Sequence, residues 1–316
     1  MIIFVTQTPV SQTLAETVGK RRINVDLSYI HLQLSHQEDF YAFAALSLDP
    51  EELQLSVKKA HNIDWDPHNV GDLFSRQVVF VGIYDGHGGS AVSQFLRQEL
   101  HGLFESVNTS AIPELFAWIK ELGGYFKRFK GGALAPWIQP SENPPKPDLE
   151  AHGGKVVPMT ENHHADARGE SIRLRRMMGS SLITDSYGES RWMGALANTR
   201  GLGDLDYKKF GVTPEPEVRT RLLSGDQWAY IVLVSDGVTS MLSDDEVVDL
   251  ARDAPDPKTA ADKILSFAEE LGGEDNMTAI VVPLAGWGKI RGPDKTKDLR
   301  EYRRKQAVGT ERQRRM

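Results

Sequence analysis

Three short apolar runs in this chain each meet an aspartate in a turn. The runs and their turns are 78–84 before Asp85-Gly86-His87-Gly88-Gly89, 231–235 before Asp236-Gly237, and 278–282 after Asp275-Asn276. Continuous apolar runs of this length predict buried strands. Carboxylate and carbonyl oxygens are the ligands that hard divalent ions prefer. We therefore predict a metal site where a sheet ends, with Asp85, Asp236 and Asp275 as ligands and the Gly86 carbonyl as a further one.

This arrangement would allow metal-assisted hydrolysis. Two ions roughly 3.5–4 Å apart would lower the pKa of a bridging water and supply hydroxide near neutral pH. His87 lies in the same turn as Asp85, and an imidazole with a pKa of about 6.5 could donate a proton to a leaving alkoxide. Arg21 or Arg22 could clamp a phosphate bidentately. Taken singly, these features are also typical of ordinary turns and solvated side chains, so the hypothesis depends on their joint occurrence.

Two weaker motifs have open interpretations. His163-His164 could bind a metal, but no cysteine or further histidine at helical spacing accompanies the pair, so this is the less favoured interpretation. The segment from Arg200 to Asp204, Arg-Gly-Leu-Gly-Asp, could be a phosphate-binding glycine loop, although short patterns of this kind are not specific.

The composition is that of a soluble globular protein without thiol chemistry. The 316 residues are 40% hydrophobic and 26% charged. The absence of cysteine excludes disulfides, thiolate metal sites and a cysteine nucleophile. No apolar stretch is long enough for a transmembrane helix, and the N-terminus lacks the pattern of a signal peptide. We expect an intracellular protein, cytoplasmic or mitochondrial, that is a monomer.

Charge is distributed unevenly along the chain. Residues 286–316 carry eleven Lys or Arg and four Asp or Glu, a net charge of +7, whereas the whole chain carries −7, so residues 1–285 carry −14. An acidic body suits divalent cations and argues against nucleic acid as a partner. We interpret the basic segment as a solvated, disordered tail, with contact to an acidic partner or a membrane as the alternative.

Strand and helix patterns follow one another in mixed order, which favours an α+β fold with antiparallel sheet over a doubly wound parallel fold. Ile30, Leu32 and Leu34 alternate with polar residues and predict a half-buried strand. Residues 40–60 have a helical pattern that Pro50 interrupts.

Three further helices have recognisable starts or stops. One begins after Ser90, one begins at the capping box of Ser243 and Glu246, and one spans 258–271 before a glycine pair. The proline-rich stretch 133–155 is typical of a linker. These patterns divide the chain into an N-terminal extension (1–18), a single domain (19–285) and the basic tail (286–316).

Several stretches, in the same order, resemble the motifs of the metal-dependent (PPM, type 2C) protein serine/threonine phosphatases. The stretches are Gly19 to Asp26, Asp85 to Gly89, Ala195 to Asp204, Ser235-Asp236-Gly237, and Glu274 to Thr278. The five-residue glycine signature and the Asp-Asn-x-Thr motif are together specific. The similarity covers residues 19–285.

The resemblance implies an antiparallel β-sandwich flanked by helices, with two Mg²⁺ or Mn²⁺ ions at one end. It implies that Asp85, Gly86, Asp236 and Asp275 bind metal, that Arg21 holds the phosphate and that His87 is the general acid. Supporting residues would be Asp26, Asp204 and Asn276. The implied reaction is hydrolysis of phosphoserine and phosphothreonine in protein substrates, by direct attack of a metal-bridging water without a phosphoenzyme.

Two departures from the family pattern leave alternatives open. Val25 stands where the family has a glutamate that acts on the second metal. Two central strands of the sandwich have no counterpart in the interval that 133–155 occupies, an apparent internal deletion that would expose sheet edges and leave a cavity. The alternatives to an active phosphatase are a catalytically impaired pseudophosphatase or phosphoprotein-binding module, and an unstable truncated product.

Overall fold

The computed structural model describes residues 2–6, 28–32, 37–69, 77–111, 113–114, 117, 156–178, 182–184, 190–219, 221, 223, 227–290 and 292–307. The chain separates into two units, whereas the sequence predicts a single domain over 19–285. The first unit comprises Met1–Ser106, Leu149–Val157 and Arg221–Met316, and the second comprises Val107–Asp148 and Pro158–Thr220. The proline-rich stretch 133–155, with the deletion inferred there, lies outside the described residues.

Two three-stranded antiparallel sheets form the centre of the first unit. The strands are β1 (Ile2–Thr6), β2 (Ser28–Leu32), β3 (Phe40–Ser47), β4 (Gln77–Tyr84), β7 (Tyr230–Val234) and β8 (Met277–Pro283). One sheet has the order β1-β4-β3 and the other has the order β2-β8-β7. The three strands predicted from the apolar runs, β4, β7 and β8, are confirmed, as is a strand over 28–32.

The apolar runs are continuous because both faces of these strands are covered. Alternate residues of β4, β7 and β8 meet in one cluster, which contains Val81, Ile83, Ile231, Leu233, Ile280 and Val282. The intervening residues of β8, such as Ala279 and Val281, pack instead against helices. Those of β4, such as Val78 and Phe80, contact a different set of side chains that includes Leu96 and Leu100.

The helices of the first unit are α1 (Pro50–His61), α2 (Ala91–Ser106), α5 (Asp236–Thr239), α6 (Asp244–Arg252), α7 (Pro257–Glu270) and α8 (Lys297–Ala307). The predicted capping box is present at the start of α6, where Ser243 and Glu246 satisfy each other's backbone N–H groups. Helix α7 begins at an Asp256 N-cap followed by Pro257. Ile264, Leu265 and Phe267 of α7 are buried, so α7 stabilises the unit through its apolar face.

The structure corrects three expectations. Residues 40–47 form β3 and not a helix, because pairing along the whole length of β4 overrides the helical propensity of its alanines. Ile2–Thr6, predicted to belong to an extension, pairs with β4 as an edge strand. Lys297–Ala307, predicted to lie in a disordered tail, forms α8.

The second unit contains α3 (Arg168–Met178), the hairpin of β5 (Leu182–Thr184) and β6 (Ser190–Trp192), and the short helix α4 (Leu205–Lys208). Its small core consists of Ala165, Leu174, Trp192 and Val212. The Trp192 indole is buried and donates a hydrogen bond to the Phe210 carbonyl at 3.1 Å. A buried carboxylate, Glu170, accepts hydrogen bonds from Arg173, Thr199 and Arg200.

Candidate metal centre

The antiparallel pairing of β3 with β4 places the start of β3 beside the end of β4. Phe40 is opposite Tyr84 in the register, so Glu38-Asp39 and Asp85 flank the same end of the hairpin. Asp85 follows β4 directly, as the sequence predicts. Asp39, which precedes β3, therefore lies at the same end of the strand pair as Asp85, which follows β4.

The pairing of β7 with β8 repeats this arrangement in the other sheet. Val234 is opposite Ala279, so Asp236 after β7 and Asp275 before β8 also lie at one end of their pair. The Ser235 amide donates to the Thr278 carbonyl at 3.0 Å, which extends the pairing to the edge of the site. Both acidic turns are therefore held by backbone hydrogen bonds.

The two sheets bring Asp85 and Asp236 together. The Asp236 amide donates to Asp85 Oδ2 at 3.2 Å, and the two carboxyl groups lie within hydrogen-bonding reach of each other. Their side chains reach solvent, but the surrounding protein still removes part of their hydration. This partial burial raises the pKa of both groups. The charges of Asp39 and Asp275 also raise the pKa of Asp85, although hydrogen bonds with Asp236 lower it. The charges of Asp85 and Asp275 also raise the pKa of Asp236.

Asp39 is a fourth carboxylate of this cluster, and the sequence analysis missed it. It is 2% exposed and accepts a hydrogen bond from Thr278 Oγ1 at 3.0 Å. Burial raises the pKa of Asp39 to about 6, against hydrogen bonds from Ser235 and Thr278 that lower it. The charges of Asp236 and Asp275 contribute to this raised pKa, so Asp39 belongs electrostatically to the same site.

Glu38 and Asn276 connect the two sheets at this end. The Glu38 amide donates to Asn276 Oδ1 at 3.1 Å, which gives the predicted supporting residue Asn276 a structural role. Glu38 Oε1 accepts the Gly89 amide at 2.5 Å and so holds the glycine turn after β4. Gly88 and Gly89 have φ values of 68° and 128°, a backbone region that glycine tolerates best.

Two glycines permit the close approach of the acidic turns. A Cβ at Gly86 would lie 2.6 Å from the Glu38 carbonyl oxygen and 2.8 Å from Ser93 Oγ. A Cβ at Gly237 would lie 2.1 Å from the Asn276 carbonyl oxygen. A larger residue at either position would push the neighbouring turn away. The Asp-Gly pairs are therefore needed for the convergence of the cluster.

The residues present fit a hard divalent cation. Asp39, Asp85, Asp236 and Asp275 supply only oxygen donors, the kind of ligand that such a cation prefers. Over the described ranges, no three His, Asp or Glu side chains are already arranged to hold an ion. The carboxylates are gathered at one end of the sheets without being closed around one point, as expected for groups that repel one another.

The other predicted site residues have different outcomes. His87 is exposed in the glycine turn beside Asp85. Arg21 and Asp26 lie outside the described residues, as does Val25. Asp204 lies in the second unit and precedes α4 with a left-handed backbone, φ 47° and ψ 45°.

The weaker motifs of the second unit have local partners. Arg200 Nε and Nη2 donate to Glu170 Oε1 at 2.9 and 2.6 Å, so its guanidinium is engaged by a buried carboxylate. His163 Nε2 lies 3.0 Å from Glu217 Oε2, and His164 Nδ1 lies 2.7 Å from Asp166 Oδ1. The two histidines thus bind separate carboxylates, which does not favour their interpretation as one metal site.

One signal in the sequence could have identified Glu38 and Asp39. Gln37-Glu38-Asp39 directly precedes a continuous apolar segment, and an acidic pair before a strand is equivalent to one after its antiparallel partner. The helical interpretation of 40–60 concealed this relation.

Comparison with known proteins shows one matching family. Residues 149–277 match the family model described as Protein phosphatase 2C. The chain is similar to that family over these residues. It is 29% identical over 302 residues to protein phosphatase 2C homolog 4 of Schizosaccharomyces pombe, a match that covers 74% of this chain and 78% of that protein.

Two further comparisons are more limited. Protein phosphatase 1K, mitochondrial, of Xenopus laevis is 36% identical over 141 residues, which cover 45% of this chain and 38% of that protein. A solved structure of a C. elegans sex determining protein superposes with a TM-score of 0.52 at 19% identity, covering 89% of this chain and 68% of that one. This superposition supports the mixed α+β fold. No helix in the described ranges is long and apolar enough to cross a membrane.

Proposed function

We propose that this chain is a Mg²⁺- or Mn²⁺-dependent protein phosphatase that uses two ions to hydrolyse phosphoserine and phosphothreonine in protein substrates. The observation that carries the proposal is the convergence of Asp39, Asp85, Asp236 and Asp275 at one end of two sheets. Such a cluster of mutually repelling carboxylates is stabilised by cations. Similarity to the phosphatase 2C family suggests the reaction class.

In this proposal the residues have the following roles. When bound, the ions supply Lewis-acid chemistry that neutralises phosphoryl charge and makes water more acidic. Asp85 and Asp236 would hold them from adjacent turns, with Asp275 and the Gly86 carbonyl as further ligands, and Asp39 would help to orient this set. His87 is exposed in the same turn and donates a proton to the departing serine or threonine oxygen. Arg21 is proposed as the phosphate clamp on its sequence motif alone.

The architecture in this proposal is a β-sandwich with helices outside. It is supported by the cluster in which side chains of β4 meet those of β7 and β8. Glu38 and Asp39 also bear on the alternative of an impaired pseudophosphatase. That alternative depends in part on Val25, yet an acidic pair is present in the site from another segment. We therefore favour an active enzyme.

A metal-dependent phosphate-release assay tests this proposal. Purified full-length chain is incubated with a phosphothreonine or phosphoserine peptide, with Mn²⁺ or with EDTA. We expect release with Mn²⁺ only. We expect the variant Asp85→Asn to lose activity and the variant His87→Gln to lose roughly 10²–10⁴-fold in kcat.

The matched control is Asp253→Asn, which removes an exposed carboxylate at the end of α6, away from the four acidic residues. It should retain wild-type turnover. Release that persists in EDTA, or equal loss in the Asp85 and Asp253 variants, would contradict the mechanism. Binding of the phosphopeptide without any turnover would favour the pseudophosphatase.

A further inference from the structure

The basic C-terminal segment directs three arginines toward acidic groups of the first unit. Arg300 pairs with Asp294 at 2.6 Å, Arg303 pairs with Glu246 at 2.7 Å, and Arg304 pairs with Glu270 at 2.6 Å. These arginines share one side of α8, whereas Leu299 and Tyr302 are exposed. Intramolecular ion pairs thus account for part of the charge asymmetry of the chain.

Arg303 contacts the most buried carboxylate of the three, Glu246. Its Nη1 donates to both carboxylate oxygens of Glu246, at 2.8 and 2.7 Å, and its Nη2 donates to the Met241 carbonyl at 2.6 Å. Glu246 is 1% exposed and also accepts hydrogen bonds from Ser243. A planar guanidinium satisfies the carboxylate and the carbonyl together, which a lysine cannot do with the same geometry.

Met241 belongs to the turn that carries Asp236. The Met241 and Leu242 amides both donate to the Val238 carbonyl, at 3.1 and 2.8 Å, and the Ser240 amide donates to the Asp236 carbonyl at 2.8 Å. The segment 236–242 is therefore one hydrogen-bonded piece of backbone. Arg303 holds the end of this piece that is farthest from Asp236 along the chain.

The side chain of Met241 also reaches the loop that carries Asp275. A Cβ at Gly273 would lie 3.2 Å from Met241 Cγ and 2.5 Å from Met277 Cε, so both methionines pack against this glycine. Gly273 precedes Asp275 by two positions. Met241 therefore contacts the supports of two predicted metal ligands, and Arg303 fixes its backbone.

We propose that Arg303 is a positioning residue for the metal centre: by holding Met241 and Glu246, α8 keeps the turns of Asp236 and Asp275 at the separation that binds divalent ions. This inference rests on the proposed function, because it assigns the metal site to those turns. It gives the basic segment a role in activity without any contact with substrate.

The test compares Arg303→Ala with Arg304→Ala in the full chain. Both variants remove one arginine and one ion pair from α8, but Arg304 pairs with Glu270 and lies over the Phe267 ring, and both of these partners belong to α7. Mn²⁺ dissociation constants are measured by electron paramagnetic resonance. We expect about tenfold weaker binding for Arg303→Ala, the lower end of the effect of residues behind metal ligands, and wild-type binding for Arg304→Ala.

Hydrogen exchange provides a second readout that needs no metal. Amides of 236–243 should exchange faster in Arg303→Ala than in wild type, with little change in Arg304→Ala. If Arg303→Ala does not fold, Arg303→Lys retains the charge for Glu246 and should still weaken Mn²⁺ binding several-fold, since it cannot also hold the carbonyl.

The outcomes separate this inference from the proposed function. Unchanged Mn²⁺ affinity in Arg303→Ala, or in Arg303→Lys if that variant is needed, overturns the positioning role. Equal weakening in the Arg303 and Arg304 variants also overturns it, because a general loss of stability would explain both. A wild-type chain that binds no Mn²⁺ refutes the metal site itself, and the exchange rates then still decide whether Arg303 holds the turn.

Discussion

Asp39 shows how strongly single residues of the metal centre depend on their surroundings. Its carboxylate is buried, accepts a hydrogen bond from Thr278, and lies within the electrostatic influence of Asp236 and Asp275. A buried charge near like charges is unfavourable unless a cation compensates it. We therefore expect the Asp39 carboxylate to favour metal binding but to lower the stability of the metal-free fold.

The variant Asp39→Asn tests that conflict. We expect its affinity for Mn²⁺ to fall by roughly 10–100-fold, because a residue that orients the ligand set is altered. Its metal-free stability should match or exceed that of wild type, since the amide oxygen can still accept from Thr278 while the repulsion is removed. Calorimetric titration and thermal unfolding without metal measure the two effects. Unchanged Mn²⁺ affinity would exclude Asp39 from the site.

At the scale of elements, the sequence predicts the strands and helices that carry their own local signal, such as a continuous apolar run or a capping box. Strands β4, β7 and β8 are apolar on both faces, and α6 carries its own capping box, so each is recognisable without its neighbours. Strand β3 was missed because its alanine-rich sequence acquires its conformation from β4. Helix α8 was missed because its arginines find their carboxylates on distant elements.

The same reasoning explains which part of the candidate site the sequence predicted. Asp85 and Asp236 each follow a recognisable strand, so their convergence could be expected. Glu38 and Asp39 precede a strand that was interpreted as a helix, and their proximity to Asp85 depends on the register of a long-range pair. Residue type indicated the chemistry, whereas strand pairing decided which of the many carboxylates take part.

The turn between β7 and α5 provides a test at this scale. In Gly237→Ala the added Cβ would meet the backbone oxygen of Asn276 at 2.1 Å, so the turn must move. We expect a loss of roughly 1–3 kcal/mol in unfolding free energy and weaker Mn²⁺ binding. The control is Gly102→Ala in α2, where no atom lies within 4 Å of the added Cβ and a gain of about 0.5–1 kcal/mol is expected. Chemical denaturation measures both changes, and equal effects would refute the steric argument.

In the molecule as a whole, some ionised groups form the proposed metal site and others stabilise the fold through ion pairs and hydrogen bonds. In the first unit, carboxylates of the metal centre are left to repel one another, whereas Glu246, Glu270 and Asp294 are neutralised by α8. In the second unit, Glu170 is surrounded by donors that compensate its burial. Stability and metal binding should therefore respond differently to pH.

Glu170 makes the stability of the second unit sensitive to acid. Burial alone would raise the pKa of this carboxyl, but hydrogen bonds from Arg200, Thr199 and Arg173 outweigh it and lower the pKa to about 2. Because the folded pKa lies below the unfolded value of 4.5, the contribution is present above pH 4.5 and is lost as the pH falls toward 2. It amounts to something on the order of 3 kcal/mol.

Unfolding measured from pH 6 to pH 2 checks this expectation. Wild-type stability should decrease over the acidic part of the range, and Glu170→Gln should be less stable above pH 4.5 but less dependent on pH. Glu161→Gln, which removes an exposed carboxylate of the same unit, is the control and should keep the wild-type slope. If Glu170→Gln does not fold, Thr199→Val removes one donor and should reduce the acid dependence in part. A slope that neither variant alters would exclude Glu170 as the acid-sensitive group.

In the pair of β3 and β4, the connection between the strands and the acidic residues Asp39 and Asp85 lie at opposite ends. Its register pairs Ser47 with Gln77 at one end and Phe40 with Tyr84 at the other. The long connection between the two strands, which includes α1, therefore leaves from the end opposite to Asp39 and Asp85. Residues can be added to or removed from that connection without changing the distance between the two carboxylates. This tip is accordingly the place where a fluorescent reporter or a foreign domain could be inserted while the metal ligands keep their spacing.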